Sequence, residues 1–354
     1  MDNDRVLLAK AHAPLADAAR GNPRALLALA ANAQRDGALQ RCHELVQEAL
    51  ALGSDDPEIA AAARTIMGQA VPAWHFPMMR DDIRNQAFQD AIERAVAPGM
   101  KVLDIGSGSG LLAMMAARAG AGEVHSCELN PVIAATAREI VARNGYADTI
   151  TVHARNSAKL DAEADMGGPA DLVISEIIGK DLVCEAVLPS MRDAVRRLAK
   201  PGAQVIPRRG EIRVALAHYA KLEALSVDNV CGFDLTPFNR LRRARIDVQA
   251  RDPALTLRGE PAVLFDFDFA SADPHPDRSA LNLVASGGTA NGVVQWFRLQ
   301  MDEAGRFENP PGADSSRSWA LVFFPFDQPL ELEPGEQVAV AAKVVNNLLR
   351  VWQA

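Results

Sequence analysis

A glycine-rich turn joins a short apolar run at residues 101–105 to a helical pattern that begins at Leu111. Glycine lets the backbone turn sharply, so a strand can pass into a helix within a few residues. Three further short apolar runs follow, at residues 123–127, 150–153 and 171–175. Because helical patterns separate these runs, we expect an α/β fold with a Rossmann-like parallel sheet over residues 71–206.

The turn contains Gly106, Gly108 and Gly110 in the order G-x-G-x-G, and Asp104 lies two residues before the first glycine. Dinucleotide-binding turns have the order G-x-G-x-x-G instead. The order found here is typical of sites for S-adenosylmethionine (AdoMet), which has no phosphate. Glu128 ends the next apolar run, where a carboxylate can accept hydrogen bonds from both ribose hydroxyls. We therefore predict that these residues bind AdoMet; a tight structural turn beside a surface glutamate is the alternative.

Two glutamates, Glu176 and Glu185, follow the fourth apolar run. Ligands of parallel sheets bind beyond the carboxyl ends of the strands, so this loop is expected to face the cofactor. Two carboxylates can hold a planar, protonated guanidinium group by forked hydrogen bonds, which orient a nitrogen for attack on a methyl group. We predict that both glutamates are catalytic; a solvated surface pair is the alternative. Between them, Lys180 and Asp181 are expected to form a local ion pair at the rim, and Cys184 to be a packing residue.

The chain resembles the protein arginine methyltransferase family over roughly residues 71–354. Residues 175–185 resemble the double-glutamate loop of that family, and residues 74–85 resemble the helix that closes over the cofactor. The resemblance implies an AdoMet-dependent arginine N-methyltransferase. Three further residues are candidates for cofactor binding, namely Met78 beside the transferred methyl group, Arg84 on the cofactor carboxylate, and Ser157.

The sequence departs from this family at two loops. The family's Thr-His-Trp loop reads Arg317-Ser318-Trp319, so its histidine is missing. The resemblance implies that Ser318 and Trp319 bind the substrate. The loss of the histidine leaves three outcomes open, namely slower catalysis, a different substrate, or compensation by Ser318. The aromatic residues that usually follow the first glutamate are replaced, with Ile177 and Lys180 in place of tryptophan and tyrosine. The degree of methylation therefore stays open.

Residues 207–354 have a different pattern, in which proline and glycine turns separate short runs typical of strands. This pattern predicts an antiparallel barrel or sandwich, and the resemblance implies a β-barrel that contributes to the substrate site. Residues 220–241 interrupt the pattern and resemble the arm through which members of the family dimerise. A homodimer is therefore expected.

Residues 1–70 are rich in alanine and leucine and are expected to form helices that pack on the rest of the chain. The stretch 36–57 resembles half of a tetratricopeptide unit. Peptide capture and a plain helical cap are both open roles for this segment. Together with residues 74–85, it most resembles the branch of the family that has N-terminal repeats and makes symmetric dimethylarginine.

Charge and composition disfavour several other classes of protein. The net charge is −8, whereas nucleic-acid binding needs a basic surface. No run of 18 apolar residues is present, so no membrane span is expected, and the first residues do not resemble a secretory signal. The four cysteines are scattered and form no metal-binding pair, which indicates a reducing compartment and predicts a cytoplasmic protein.

Three functions stay open from the sequence. The first is methyl transfer to arginine in a protein or peptide, and the second is methyl transfer to free arginine or a small guanidine metabolite. The third is a catalytically weak, methyltransferase-like scaffold that binds partners through residues 1–70. Retention of both Glu176 and Glu185 argues against the scaffold, while the missing histidine argues mildly for it.

Overall fold

The computed structural model describes residues 19–314 and 318–354, so residues 1–18 of the N-terminal segment and Arg317 lie outside the described residues. The α-helices are α1 Pro23–Arg35, α2 Leu39–Leu52, α3 Pro57–Gln69, α4 His75–Met79, α5 Asp82–Ala95, α6 Leu111–Arg118, α7 Pro131–Arg143, α8 Ala162–Met166 and α9 Val187–Arg197. The strands of the first half are β1 Lys101–Ile105, β2 Glu123–Cys127, β3 Ile150–His153, β4 Ala170–Ser175 and β5 Ala199–Ile206.

The second half consists mainly of strands. They are β6 Arg209–Tyr219, β7 Asn229–Val230, β8 Phe233–Asp234, β9 Ile246–Val248, β10 Leu255–Leu257, β11 Ala262–Asp268, β12 Arg278–Val284, β13 Gly288–Gln300, β14 Arg306–Glu308, β15 Leu321–Leu332, β16 Gln337–Val345 and β17 Leu348–Gln353. Within the described ranges, no helix is long and apolar enough to cross a membrane.

The first half is built on a parallel sheet with the strand order β3-β2-β1-β4-β5. Its central strands are almost entirely buried, because helices cover both faces, and this explains their continuous apolar sequences. The carboxyl ends of β1, β2 and β4 lie side by side at one edge. The turn at residues 106–110, the residue after β2 and the loop after β4 therefore meet at one place.

The second half contains antiparallel sheets. One has seven strands in the order β10-β6-β13-β15-β9, with β11 and β14 paired at its side, and another has the order β12-β16-β17. The parallel sheet and these antiparallel sheets confirm the predicted α/β class with a second, antiparallel part. Buried side chains of both halves form one apolar core, which runs from Phe88 to Val351, and a smaller apolar cluster lies within the antiparallel sheets.

The N-terminal helices α1–α3 have an apolar core of their own, which includes Leu26, Leu45 and Ile59. Asn22 and Asp56 cap α1 and α3 by accepting hydrogen bonds from backbone N–H groups, as expected for a helix start with proline next. These helices pack on the rest of the chain, with α2 against α7. The tetratricopeptide-like branch stays a prediction.

Several element boundaries differ from those that the sequence pattern predicts, and two of the differences lie near the cavity. The apolar pattern predicts a helix over residues 182–198, but α9 begins at Val187, because Leu182 and Ala186 have left-handed φ angles of 70° and 63° that no α-helix contains. The residues before α9 form an irregular loop instead. The pattern also predicts a strand over residues 319–324, but β15 runs from Leu321 to Leu332.

Candidate active site

A cavity of about 500 Å³ lies at the carboxyl ends of the parallel strands. Eight of the residues singled out from the sequence line it, namely Met78, Arg84, Gly106, Gly108, Glu128, Ser157, Glu176 and Glu185. Four others do not line it, namely Asp104, Gly110, Ser318 and Trp319. The structure therefore brings the glycine turn and both glutamates of the loop to one cavity.

The turn after β1 needs glycine at its first and third glycine positions. Gly106 and Gly110 have φ angles of 88° and 80°, which side chains rarely adopt. A Cβ atom on Gly106 would lie 2.5 Å from the Cγ2 atom of Ile177 in the double-glutamate loop. A larger residue at position 106 would therefore collide with that loop. Gly110 packs against helix α7 and serves the fold rather than the cavity.

Asp104 lies behind the turn and not in the cavity. Its carboxylate is fully buried and accepts a 2.6 Å hydrogen bond from the Ser126 hydroxyl, which lies 2.6 Å from the Ser107 hydroxyl as well. Burial raises the pKa of Asp104 to about 6. Since Ser107 lines the cavity, this chain of hydroxyl groups connects Asp104 to the predicted cofactor site.

Glu128 is held with both carboxylate oxygens in place. Oε2 accepts a hydrogen bond from the Gly108 N–H at 3.1 Å, and Oε1 accepts one from the Asn130 N–H at 2.8 Å. A carboxylate has lone pairs left after one hydrogen bond at each oxygen. The group can therefore also accept two hydroxyl donors from a ribose, which fits the predicted cofactor.

Arg84 crosses from helix α5 toward the double-glutamate loop. Its side chain is almost fully buried, its Nη1 donates to the Met78 carbonyl at 3.1 Å, and its Nη2 lies 3.3 Å from Oε2 of Glu176. Its Nε atom has no hydrogen-bond partner among the described residues. A buried N–H donor without an acceptor is costly, so this guanidinium fits the carboxylate of AdoMet.

The two glutamates face the cavity in an environment that disfavours their charges. Burial raises the pKa of Glu176 to about 8, the Arg84 guanidinium lowers it, and the Glu185 carboxylate raises it. Burial also raises the pKa of Glu185, and the charge of Asp181 adds to this effect. A guanidinium cation between the two glutamates would favour both ionised forms.

Comparisons with known proteins agree with this geometry. A family model described as ribosomal protein L11 methyltransferase (PrmA) matches residues 88–207. A protein of Streptomyces achromogenes subsp. streptozoticus named arginine N(omega)-methyltransferase is 38% identical over 350 residues, which cover 96% of this chain and 94% of that protein. The chain belongs to the protein arginine N-methyltransferase family. It is an AdoMet-dependent arginine N-methyltransferase.

More distant members of the family match a smaller share of the chain. Protein arginine N-methyltransferase 7 of Oryza sativa subsp. japonica is 31% identical over 65% of this chain and 35% of its own length, so the match spans about a third of that relative. A Trypanosoma brucei PRMT1 enzyme–prozyme heterotetrameric complex with AdoHcy aligns with a TM-score of 0.69 and 25% identity, over 77% of this chain and 87% of that one. Arabidopsis thaliana protein arginine methyltransferase 10 has the same fold, with a TM-score of 0.66 at 20% identity, over 80% and 93% of the two chains.

The arrangement divides the work of this methyltransferase between two groups of residues. AdoMet supplies a methyl group bound to a positively charged sulfur. Glu128 and Arg84 are expected to hold the two ends of the cofactor, while Glu176 and Glu185 orient a guanidinium beside it. Their negative charges draw the positive charge of the guanidinium toward the held nitrogens, so another nitrogen is freer to attack. These residue roles stay predictions.

The loop that contains Ser318 and Trp319 contacts Asp81, the residue that caps the start of helix α5. The Ser318 hydroxyl donates to Oδ2 of Asp81 at 2.6 Å, and Oδ1 of Asp81 accepts from the backbone N–H of Arg84 at 3.3 Å. Trp319 donates from Nε1 to the carbonyl of Ile178 at 2.8 Å. Ser318 and Trp319 therefore position Arg84 and the double-glutamate loop. The sequence does not reveal the role of Asp81, because its partner Ser318 lies 237 residues away.

The expected ion pair between Lys180 and Asp181 does not exist. Lys180 pairs with Asp247, whereas Asp181 is completely buried and accepts a 2.6 Å hydrogen bond from Arg245. Asp181 also accepts backbone N–H groups of its own loop and, at 3.4 Å, that of Leu349. The predicted Lys180–Asp181 pair is wrong because adjacent side chains in an irregular loop can point to opposite sides. Asp181 instead fastens the double-glutamate loop to the second half of the chain.

Cys184 fills space inside the same loop. A Cβ atom on Gly179 would lie only 1.8 Å from its Sγ atom, so the loop closes on itself between these two residues. Burial and the nearby Asp181 charge raise the pKa of Cys184 to about 12. The thiol is therefore protonated at neutral pH, which fits a packing residue and not a nucleophile.

Replacement of Glu128 by alanine is expected to weaken cofactor binding before any other property. Two charge-assisted hydrogen bonds to ribose would be lost, so AdoMet affinity should fall by about 10- to 100-fold. Titration calorimetry with AdoMet measures this effect. Glu139→Ala is the matched control, because Glu139 lies on the exposed surface of α7 in a pair with Arg143. Equal affinity in both variants would show that the ribose assignment is wrong.

The raised pKa of Glu176 is expected to make stability depend on pH. Its pKa is about 8 in the folded chain against an ordinary value of 4.5, so its contribution to stability is complete below 4.5 and is lost as pH rises through 8. Glu176→Gln cannot ionise and should lack this loss. Urea unfolding of both proteins at about pH 5 and about pH 8 measures the difference. Parallel changes in the two proteins would contradict the buried position of Glu176.

Proposed function

We propose that this methyltransferase modifies arginine side chains in proteins or peptides. The observation that carries the proposal is the placement of Glu176 and Glu185 in the same cavity as the glycine turn and Glu128. Both carboxyl groups have raised pKa values there, so a bound guanidinium suits the cavity better than a neutral acceptor, because the cation would favour their ionised forms. The same observation argues against a scaffold without activity.

Free arginine, or a small guanidine metabolite, is the second candidate acceptor. The Streptomyces relative, which the match covers over 94% of its length, is named arginine N(omega)-methyltransferase, and this name does not mention a protein substrate. The relatives named for protein arginine match over about a third of their own length. The altered loop with Ser318 in place of histidine fits either acceptor.

One experiment separates the two acceptors. The enzyme receives AdoMet with a labelled methyl group, with free arginine and an Arg-Gly-rich peptide offered in parallel, and mass spectrometry identifies the products. Label in the peptide supports the proposal, and the isomer of dimethylarginine tests the resemblance to the symmetric branch. Label in free arginine alone would replace the proposal by the second candidate. Bound AdoMet without label in either acceptor would favour the scaffold.

We also propose that the protein is a homodimer held by an arm at residues 220–241. The arm contains the hairpin β7–β8 and two short 3₁₀ helices, and it carries little core of its own. Its apolar side chains are exposed to an unusual extent, namely Leu225, Val230, Phe233, Leu235, Phe238 and Leu241. Such a concentration is costly in water and is typical of a surface that another chain covers.

Replacement of Phe233 and Phe238 by serine is expected to convert the dimer to monomers. These side chains are 71% and 66% exposed, so the substitutions should not disturb folding. Light scattering at micromolar concentration measures the mass. Val263→Ser with Val284→Ser is the control, since both valines are exposed outside the arm. A monomeric parent, or a dimer that survives the arm substitutions, would contradict this assignment.

A further inference from the structure

The N-terminal helices contact the part of the chain that carries the cofactor cavity. Helix α2 packs against α7, whose first turn follows Asn130. The side-chain amide of Asn130 donates a 2.8 Å hydrogen bond to the carbonyl of Ala70, just after α3. Asn130 also lines the cavity and donates its backbone N–H to Glu128. The contact therefore lies next to the carboxylate that is expected to bind ribose.

Leu39 extends this contact into the cavity itself. It is the first residue of α2, and its partly buried side chain lines the cavity together with Leu129 and Ile133. These leucines and the isoleucine are apolar, whereas Arg84, Glu176 and Glu185 are charged and line the cavity too. Leu129 directly follows Glu128 in the chain, so the apolar residues near it belong beside the ribose and base of the cofactor.

We propose that the N-terminal helices form one wall of the AdoMet site and that Leu39 contacts the adenosine end of the cofactor. An adenine ring has two flat, weakly polar faces, which apolar side chains cover favourably. A ligand that touches both sides of a contact stabilises that contact by its binding energy. AdoMet binding and the packing of α2 on α7 therefore reinforce each other, whichever acceptor is methylated.

This role differs from the capture of a peptide by the same helices. A peptide-binding surface would affect the acceptor and leave the cofactor unchanged. A cavity wall would affect the cofactor even when no acceptor is present. The two roles can therefore be separated by measurements on the full chain with S-adenosylhomocysteine (AdoHcy), which occupies the site without reaction.

The test compares Leu39→Ala with Leu52→Ala, the same substitution at the other end of α2. Alanine keeps both helix ends intact because it has the highest helix propensity. Leu52 is half-exposed and does not line the cavity. By titration calorimetry, Leu39→Ala is expected to bind AdoHcy about fivefold more weakly than the parent, and Leu52→Ala as tightly as the parent.

A second measurement uses the unaltered chain. AdoHcy is expected to slow hydrogen exchange of the backbone amides in the first half of α2, because bound ligand opposes local opening there. Parental AdoHcy affinity in Leu39→Ala, together with unchanged exchange in α2, would overturn the proposal. A variant that loses peptide binding while it keeps parental AdoHcy affinity would overturn it as well and would assign the helices to peptide capture.

Discussion

A Glu185→Gln enzyme is expected to bind AdoMet as tightly as the parent and to methylate arginine about 10²- to 10⁴-fold more slowly. Glutamine keeps the shape of the side chain but removes the charge that holds the guanidinium. The acceptor would then lose a charge-assisted pair at the wall of the cavity, and hydrogen bonds between ionised groups are about twice as strong as those between neutral groups. The ratio kcat/KM for the arginine acceptor and AdoMet affinity by calorimetry measure the two effects separately.

Glu176→Gln is a useful comparison, because it should change both AdoMet affinity and the methylation rate. The Glu176 carboxylate lies 3.3 Å from the Arg84 guanidinium, whereas Glu185 forms no ion pair with any residue in the described part of the chain. Glu176→Gln would leave the buried Arg84 guanidinium without its carboxylate partner, so AdoMet affinity should change as well as the rate. Near-parental activity in Glu185→Gln would contradict a guanidinium held between two carboxylates.

Replacement of Arg245 by methionine is expected to destabilise the fold by about 2–3 kcal/mol. Asp181 has no exposed surface and would keep only backbone N–H donors for its charge. The usual cost of breaking a buried ion pair is reduced here, because the Arg245 side chain is about a third exposed. Because Asp181 fastens the double-glutamate loop, activity should fall together with stability.

Lys180→Met provides the matched control for this experiment. Lys180 lies beside Asp181 in the chain, but its partner Asp247 is about half exposed to solvent. A pair of this kind contributes little, so the change in unfolding free energy should stay within about 0.5 kcal/mol. Urea unfolding of both variants gives the comparison. Equal effects of the two substitutions would show that the Asp181–Arg245 pair is not buried in solution.

Features set by short stretches of sequence were predictable. Strands β1, β2 and β3 begin and end at the predicted residues, because an apolar run between a turn and a helical pattern is a local signal. The position of Glu128 and the double-glutamate loop at one cavity was also predictable. Parallel strands have their carboxyl ends at one edge, whatever the details of packing.

Features set by distant partners were not predictable from the sequence. Asp181 is joined to Arg245 across 64 residues, and Asp81 to Ser318 across 237 residues. Contacts between residues so far apart in the chain produce no periodic pattern in the sequence. The irregular backbone before α9 was missed for a related reason. Left-handed φ angles at Leu182 and Ala186 are unfavourable locally and persist because surrounding contacts require them.

The division of the apolar interior has a consequence for movement. The cofactor sheet and the antiparallel sheets share one core, so a hinge opening between them would expose many apolar side chains at once. Helices α1–α3 have a separate core and can tilt away as a unit without that cost. The rate at which AdoHcy leaves the site should therefore fall with higher solvent viscosity and with cross-links at the N-terminal helices. Cross-links between the two sheets should hardly change this rate.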